Sequence, residues 1–146
     1  MRKHFYFLIF CLLFIGSAKA LDLQSAGLRA GFGAEVSARF GWNGQRLETD
    51  LGAWGRGKAC ALTGVYQYTF DLDQITPGMK WFVGPGAQAM LGADLFNLGL
   101  VGQIGLDYYI PGVPFCVTAD YRPCLFFGTG EGFDGGAFAF GFHYCF

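Results

Sequence analysis

The chain has 146 residues, of which 53% are hydrophobic, 18% are aromatic and only 14% are charged, with 10 lysines and arginines against 11 acidic residues. Soluble surfaces usually carry about 25–35% charge, so this composition disfavours an ordinary water-soluble domain. The slight acidic excess and the absence of basic clusters argue against nucleic-acid binding.

The first 20 residues have the pattern of a secretory signal peptide. Residues 2–4 are basic, residues 5–15 are apolar, and Ala18 and Ala20 supply an Ala-x-Ala cleavage site. The apolar run is too short to cross about 30 Å of hydrocarbon as a helix, and no later segment has a run of about 18 apolar residues. We therefore expect residues 1–20 to be removed on export, leaving one domain over residues 21–146.

Turn signals divide this domain into short segments with two-residue alternation, which is typical of β-strands. Asn43-Gly44 is the strongest hairpin signal. The strand count depends on a tight turn at Gly33-Ala34, because without it residues 27–40 form one strand and the count is seven. Bacterial barrels built from one chain have even strand numbers, so we predict eight. The predicted strands cover residues 23–32, 35–40, 46–55, 60–70, 80–91, 96–109, 115–127 and 136–146.

The last strand has two unlike faces. Phe138, Phe140, Phe142, Tyr144 and Phe146 alternate with residues that are small except for one histidine. One side of this strand needs an apolar medium along its whole length, which lipid or a soluble core can supply. Combined with the low charge density, the pattern favours an all-β fold, an eight-stranded antiparallel up-and-down transmembrane β-barrel.

In such a barrel the polar face of each strand points inward. Eight strands leave an interior just wide enough for side chains to fill, so balanced charges are expected to pair into a plug instead of lining a channel. In the alternative fold, a soluble β-sandwich, the same charges face water and the aromatic residues fill a core. The predicted lumen charges are Arg29, Glu35, Arg39, Glu48, Asp50, Arg56, Lys80, Asp107, Asp120 and Arg122.

The cysteines and His143 are the remaining candidates for chemistry. A last hairpin centred on Gly130-Glu131 places Cys116 opposite Cys145, which permits a disulfide in an oxidising periplasm; free thiols packed as small hydrophobic side chains are the alternative. With His143, these thiols are one ligand short of a closed zinc site, so we predict no metal and no cofactor. The same register places His143 opposite Thr118 and near Asp120. We interpret it as a buried, hydrogen-bonded histidine, because no nucleophile motif supports an acyl-transfer enzyme.

Several short motifs resemble small outer-membrane β-barrel proteins of Gram-negative bacteria. They are Gly-Leu-Asp-Tyr-Tyr at 105–109, Val-Pro-Phe at 113–115, Ala-Asp-Tyr-Arg-Pro at 119–123 and Trp-Phe-Val-Gly-Pro-Gly-Ala at 81–87. The resemblance implies an eight-stranded barrel with both ends in the periplasm and no catalytic residues. Pro85 and the four cysteines after residue 20 depart from the pattern. Because proline cannot donate to a sheet ladder, we expect a β-bulge at Pro85.

The resemblance also implies partners. Phe142, Tyr144 and Phe146 are expected to act as a C-terminal assembly signal that the barrel-insertion machinery reads. We thus predict a monomeric, non-enzymatic outer-membrane barrel, in contact with outer-membrane lipid, with a filled lumen and a structural or envelope-binding role. The alternatives are a narrow porin passing small solutes and a secreted soluble β-sandwich that binds a partner.

Overall fold

The computed structural model describes residues 22–31, 33–42, 45–54, 59–92, 96–128 and 132–146. Consecutive strands pair antiparallel, and the first pairs with the last, so the sheet closes into a barrel. This confirms the predicted eight-stranded all-β fold. The strands are β1 (Asp22–Ala30), β2 (Ala34–Trp42), β3 (Gln45–Trp54), β4 (Ala59–Asp71), β5 (Met79–Gly92), β6 (Phe96–Tyr109), β7 (Phe115–Gly128) and β8 (Gly132–Cys145).

The tight turn on which the strand count depended lies between β1 and β2. β1 ends at Ala30 and β2 begins at Ala34. The backbone N–H of Gly31 donates to the carbonyl of Gly33 at 3.0 Å. The chain therefore reverses within a few residues, and two antiparallel strands form where a single strand was the alternative.

The two ends of the barrel carry different connections. The end that holds the start of β1 and the finish of β8, here called the termini end, also carries the connections 72–78 and 110–114. Gly78 and Gly112 adopt φ of 86° and 83° in these connections, a left-handed conformation that costs glycine little. Asp73 accepts a hydrogen bond from the backbone N–H of Gly78 at 3.1 Å, which fixes the first connection. The 31–33 turn lies at the opposite end.

The expected bulge at Pro85 is wrong. Pro85 pairs with Gly102 of β6, and the register of β5 against β4 is the same on both sides of it. Because proline has no N–H to donate, β5 leaves a gap in its pairing with β4, between Val65 and Tyr68. The register instead shifts in β1 between Leu23 and Ser25, and in β7 between Arg122 and Cys124, around Pro123.

The barrel has an apolar outer wall and a polar interior. In β6, Leu98, Leu100, Ile104 and Leu106 are exposed, whereas Asn97, Gln103 and Asp107 on the other face are buried. Side chains of a strand alternate between faces, so one set covers the outside and the other fills the lumen. This is the reverse of a water-soluble protein.

Among the residues that the structure describes, no helix is long and apolar enough to cross a membrane.

Candidate functional site

The most organised set of polar side chains is an ion-pair network inside the barrel, here called the lumen network. Its members come from five strands, and each is less than a tenth exposed. Arginine suits such a site because its planar guanidinium can serve two carboxylates at once. The members are Arg29, Glu35, Arg39, Arg46, Glu48, Asp50, Asp107, Asp120 and Arg122.

The half of the network nearer the 31–33 turn is organised by Arg29 and Arg122. Arg29 Nη2 donates to both carboxylate oxygens of Asp120 on β7, at 2.5 and 2.7 Å, and its Nη1 donates to Glu35 on β2. Arg122 on β7 donates to Asp50 on β3. Because β3 and β7 stand on opposite walls of an eight-stranded barrel, this last bond crosses the lumen.

The half nearer the termini end is organised by Arg39 and Arg46. Arg39 Nε donates to Glu48 at 2.6 Å, and its Nη2 donates to the hydroxyl of Thr118 at 3.0 Å. Thr118 in turn donates to Asp107 at 2.8 Å. Arg46 Nη1 donates to the other oxygen of Asp107 at 2.6 Å. Strands β2, β3, β6 and β7 are therefore tied together at this level.

Two glutamines join the charges into one layer. Gln67 accepts from Arg46 Nε at 2.5 Å and donates to Gln103 at 2.7 Å. Gln103 then donates to Glu48 at 3.1 Å. Amides both donate and accept, so they carry the network from β3 through β4 and β6 back to β3 without adding charge.

A single aromatic ring, Phe82 of β5, fills the space beside the arginines. It is fully buried, and the guanidinium carbons of Arg46 and Arg39 lie 4.9 and 5.9 Å from its ring centroid. Both distances are within the range of cation–π attraction. Apolar packing continues nearer the opposite end, where Val65 and Val101 contact Cys124 and Phe126.

The structure places eight of the ten predicted lumen charges inside the barrel, and all eight belong to the lumen network. Lys80 is a correction. Its side chain is 39% exposed and pairs with exposed Asp71 at 3.3 Å, because it stands near the start of β5, where a long amine can reach water. Arg56 lies outside the described residues.

The predicted set omitted four buried residues that lie in or beside the lumen network. Arg46 is two residues before Glu48 and shares its face, so the alternation that identified Glu48 also identifies Arg46. Phe82 follows from the same parity in β5, but an aromatic side chain gives no signal that it belongs to a polar interior. Gln67 and Gln103 were recognisable as inward-facing but not as links between charges.

The last hairpin differs from prediction in its register. Cys116 lies opposite His143, and Thr118 lies opposite Gly141, so the predicted pairing of Cys116 with Cys145 is wrong by two residues. Both cysteines are free thiols, which agrees with the free-thiol alternative, and the disulfide that the predicted register permitted is not formed. His143 is fully buried, yet neither ring nitrogen has a hydrogen-bond partner among the described residues, contrary to the hydrogen-bonded histidine expected.

In the described part of the chain, no group of three or more His, Cys, Asp or Glu side chains is arranged to hold a metal ion.

The aromatic residues of the predicted assembly signal lie on the outer wall. The Phe142 ring stacks on Phe115 with centroids 5.0 Å apart, and Tyr144 packs edge-on against Phe146 at 5.3 Å. Phe146 follows the last residue of β8, and its backbone N–H donates to the carbonyl of Gln24 at 2.9 Å. Phe146 is thus held against the beginning of β1 while its ring stays exposed.

The fold and the lumen define the class of protein: a closed, eight-stranded antiparallel β-barrel with an ion-paired interior and an apolar outer wall. No protein-family model and no curated protein sequence matches the chain. Among solved structures, it is similar to the crystal structure of the N-terminal β-barrel domain of Pseudomonas aeruginosa OprF. The TM-score is 0.58 at 16% identity, covering 87% of this chain and 98% of that one, so the likeness is one of fold.

Proposed function

We propose that the chain is an outer-membrane β-barrel protein of a Gram-negative envelope, with a filled lumen and a structural or partner-binding role and no catalysis. The observation that carries this proposal is the reversed polarity of the wall. A continuous belt of exposed leucine, isoleucine, valine and phenylalanine is unfavourable in water and favourable in hydrocarbon, whereas the charges are sequestered inside.

Other features support the same proposal. The pattern of residues 1–20 fits export across an inner membrane, and the barrel fold agrees with that of the OprF domain. Every strand pairs on both sides in the closed sheet, so no free edge recruits a second copy and a monomer is expected.

The lumen network argues for a plug instead of an open pore. Arg122 on β7 reaches Asp50 on β3 across the barrel, and Gln103 on β6 reaches Glu48 on β3, three strands away. An eight-stranded interior has little room beyond its side chains. We therefore favour a structural or binding role over a narrow porin.

The wall proposal is tested by placing a charge on the outer surface. Leu100 lies near the middle of β6 and is 61% exposed. In lipid vesicles, Leu100→Arg should lower the free energy of unfolding by about 2–4 kcal/mol, because arginine is costly near the bilayer midplane. In a soluble domain the same surface change is worth about ±0.5 kcal/mol.

Ile75→Arg is the matched control for this experiment. Ile75 is 73% exposed but lies in the 72–78 connection, outside the strands, so its substitution should be near neutral. Membrane fractionation, with electrophoresis of boiled and unboiled samples, gives an independent check. A chain found in the periplasm or medium, with Leu100→Arg as harmless as Ile75→Arg, would contradict the membrane proposal and favour a secreted, soluble barrel.

The plug proposal is tested by conductance. Pure refolded protein in a planar bilayer should show no stable, well-defined channel, because side-chain bonds cross the lumen at several levels. Reproducible unitary openings would put the narrow porin in first place while leaving the outer-membrane location intact.

A further inference from the structure

His143 is the one histidine in the described residues, and its surroundings are unusual. The side chain is 0% exposed, and both Nδ1 and Nε2 are without a hydrogen-bond partner among the described residues. A neutral imidazole has one donor and one acceptor nitrogen, and buried polar atoms nearly always have partners. The acceptor nitrogen therefore carries a buried, unshared lone pair that can bind an electrophile.

A thiol faces the same space from the neighbouring strand. Cys116 lies directly opposite His143 on the inner face and is also 0% exposed. Its Sγ is 4.0 Å from the hydroxyl of Thr118, so it leans toward the next pair along the strands, Thr118 with Gly141. The imidazole leans the same way, with Cε1 3.1 Å from where a Cβ on Gly141 would stand. Gly141 has no side chain, and the Cγ of Arg29 lies 3.1 Å from the same point, so the imidazole packs over Gly141 beside the stem of Arg29.

We propose that Cys116 and His143 form a two-ligand site for a soft monovalent cation, Cu(I) or Ag(I). Thiolate sulfur is the ligand such ions select, and imidazole nitrogen is an accepted second ligand. Directly opposed residues have Cβ atoms about 4.5–5.5 Å apart, so the thiol sulfur and an imidazole nitrogen that they carry are close enough to share one ion. On binding, the S–H bond breaks, an S–metal bond forms and the proton passes to water; no electron is transferred.

The local charge selects a monovalent ion. A thiolate, a monovalent cation and a neutral imidazole form a complex with no net charge, which suits a dry lumen. Arg39 and Asp107 both bind the neighbouring Thr118 hydroxyl, at 3.0 and 2.8 Å, so the charges beside the site already balance and a neutral complex is favoured. Zinc would leave such a charge with one thiolate and needs four ligands, whereas the described residues offer no group of three.

The proposal is tested with Ag(I) on refolded full-length barrels that keep one cysteine. In one variant Cys11, Cys60, Cys124 and Cys145 are changed to serine, leaving Cys116. In the control variant only Cys124 remains, a buried lumen thiol packed on Val65 and Val101 away from His143. Each is combined with His143→Phe, which keeps the ring volume and removes both nitrogens. Affinity is measured by competition with a soluble thiol, and the folded fraction by the electrophoretic shift.

We expect His143→Phe to weaken Ag(I) binding at Cys116 at least tenfold and to leave binding at Cys124 within twofold. His143→Met, which returns a soft donor, should restore most of the loss and shows that the effect is ligation and not misfolding. Equal losses in the two single-cysteine variants, or no loss in either, would overturn the site. Zn(II) binding as tight as Ag(I) binding would also overturn the site. So would loss of Ag(I) binding when Cys145→Ser, but not Cys116→Ser, is introduced into the otherwise wild-type barrel.

Discussion

Substitution of Arg29 gives a strong test of the lumen network, because its guanidinium binds both carboxylate oxygens of Asp120. Arg29→Met keeps a long unbranched side chain and removes the charge. Glu35 then retains Arg122 at 3.5 Å, but Asp120 has no other cation in the part of the chain that the structure describes. The substitution therefore leaves one carboxylate buried and unpaired.

The size of the effect follows from that asymmetry. Removing one partner of a buried ion pair costs about 3–5 kcal/mol, a large part of the roughly 5–15 kcal/mol that a folded domain has. Asp120→Asn should cost less, about 1.5–3 kcal/mol, because Arg29 keeps Glu35 and a contact to Asp50 at 3.4 Å. The double variant should lose less stability than the sum of the two single variants, since it leaves no buried carboxylate without a partner.

Urea unfolding in lipid vesicles, followed by tryptophan fluorescence, measures all three variants. Lys80→Met is the matched control, because its partner Asp71 is exposed and such a pair is worth about 0–1 kcal/mol. If Arg29→Met costs no more than Lys80→Met, or if the two single effects simply add, the interior is hydrated enough to solvate Asp120 and the plug reasoning fails.

Two further predictions concern packing and assembly. Gly84→Ala should destabilise the barrel by about 1–3 kcal/mol in the same unfolding assay, because a Cβ there would strike the carbonyl oxygen of Tyr66; Gly64→Ala, with nothing within 4 Å of its Cβ, should be neutral or slightly stabilising. Deleting Phe146, which is 73% exposed, should remove one backbone hydrogen bond worth about 0.5–1.5 kcal/mol and leave refolding in detergent intact, while outer-membrane levels in cells fall sharply. Normal cellular levels would show that the terminal ring only packs.

The strand pattern was predictable because each strand faces two unlike media. Leu98, Leu100, Ile104 and Leu106 lie on the exposed face, and Gln103 and Asp107 lie on the buried face. A shift by one residue would therefore move every side chain to the opposite face. This constraint makes face assignment robust even where strand ends are off by several residues. It also explains why Arg46 could have been found, since it shares the face of Glu48.

Register was less predictable, since it depends on where each turn is centred. The predicted hairpin placed Cys116 against Cys145, whereas the strands pair Phe126 with Gly132 near the turn and Cys116 with His143 near the termini end. The pairing near the turn is centred earlier in the sequence than expected. The register shift around Pro123 reverses only part of this displacement. The net slip is two residues, an even number, so the thiols and His143 still face the lumen but have different neighbours.

The fate of individual polar atoms depends on which neighbours are already engaged. Thr118 was expected opposite His143, but it lies opposite Gly141, one inward-facing pair further along the strands. Its hydroxyl, however, accepts from Arg39 and donates to Asp107. Alternation identifies a residue as inward-facing but carries no information about competition for its hydrogen bonds. That is why the unpartnered imidazole emerges only from the three-dimensional arrangement.

The same competition explains why the barrel concentrates its arginines in the interior. Four guanidiniums serve five carboxylates there, and several carboxylates are shared, as Glu48 is between Arg39 and Arg122. Such a network contributes little net stability compared with apolar packing of equal volume, since desolvation offsets the attraction. Its effect is to make one register far more stable than the neighbouring registers, because a slipped strand would leave a buried charge without a partner. Because a slip by two residues would leave the outer wall as apolar as before, we infer that the interior charges are what specify the register.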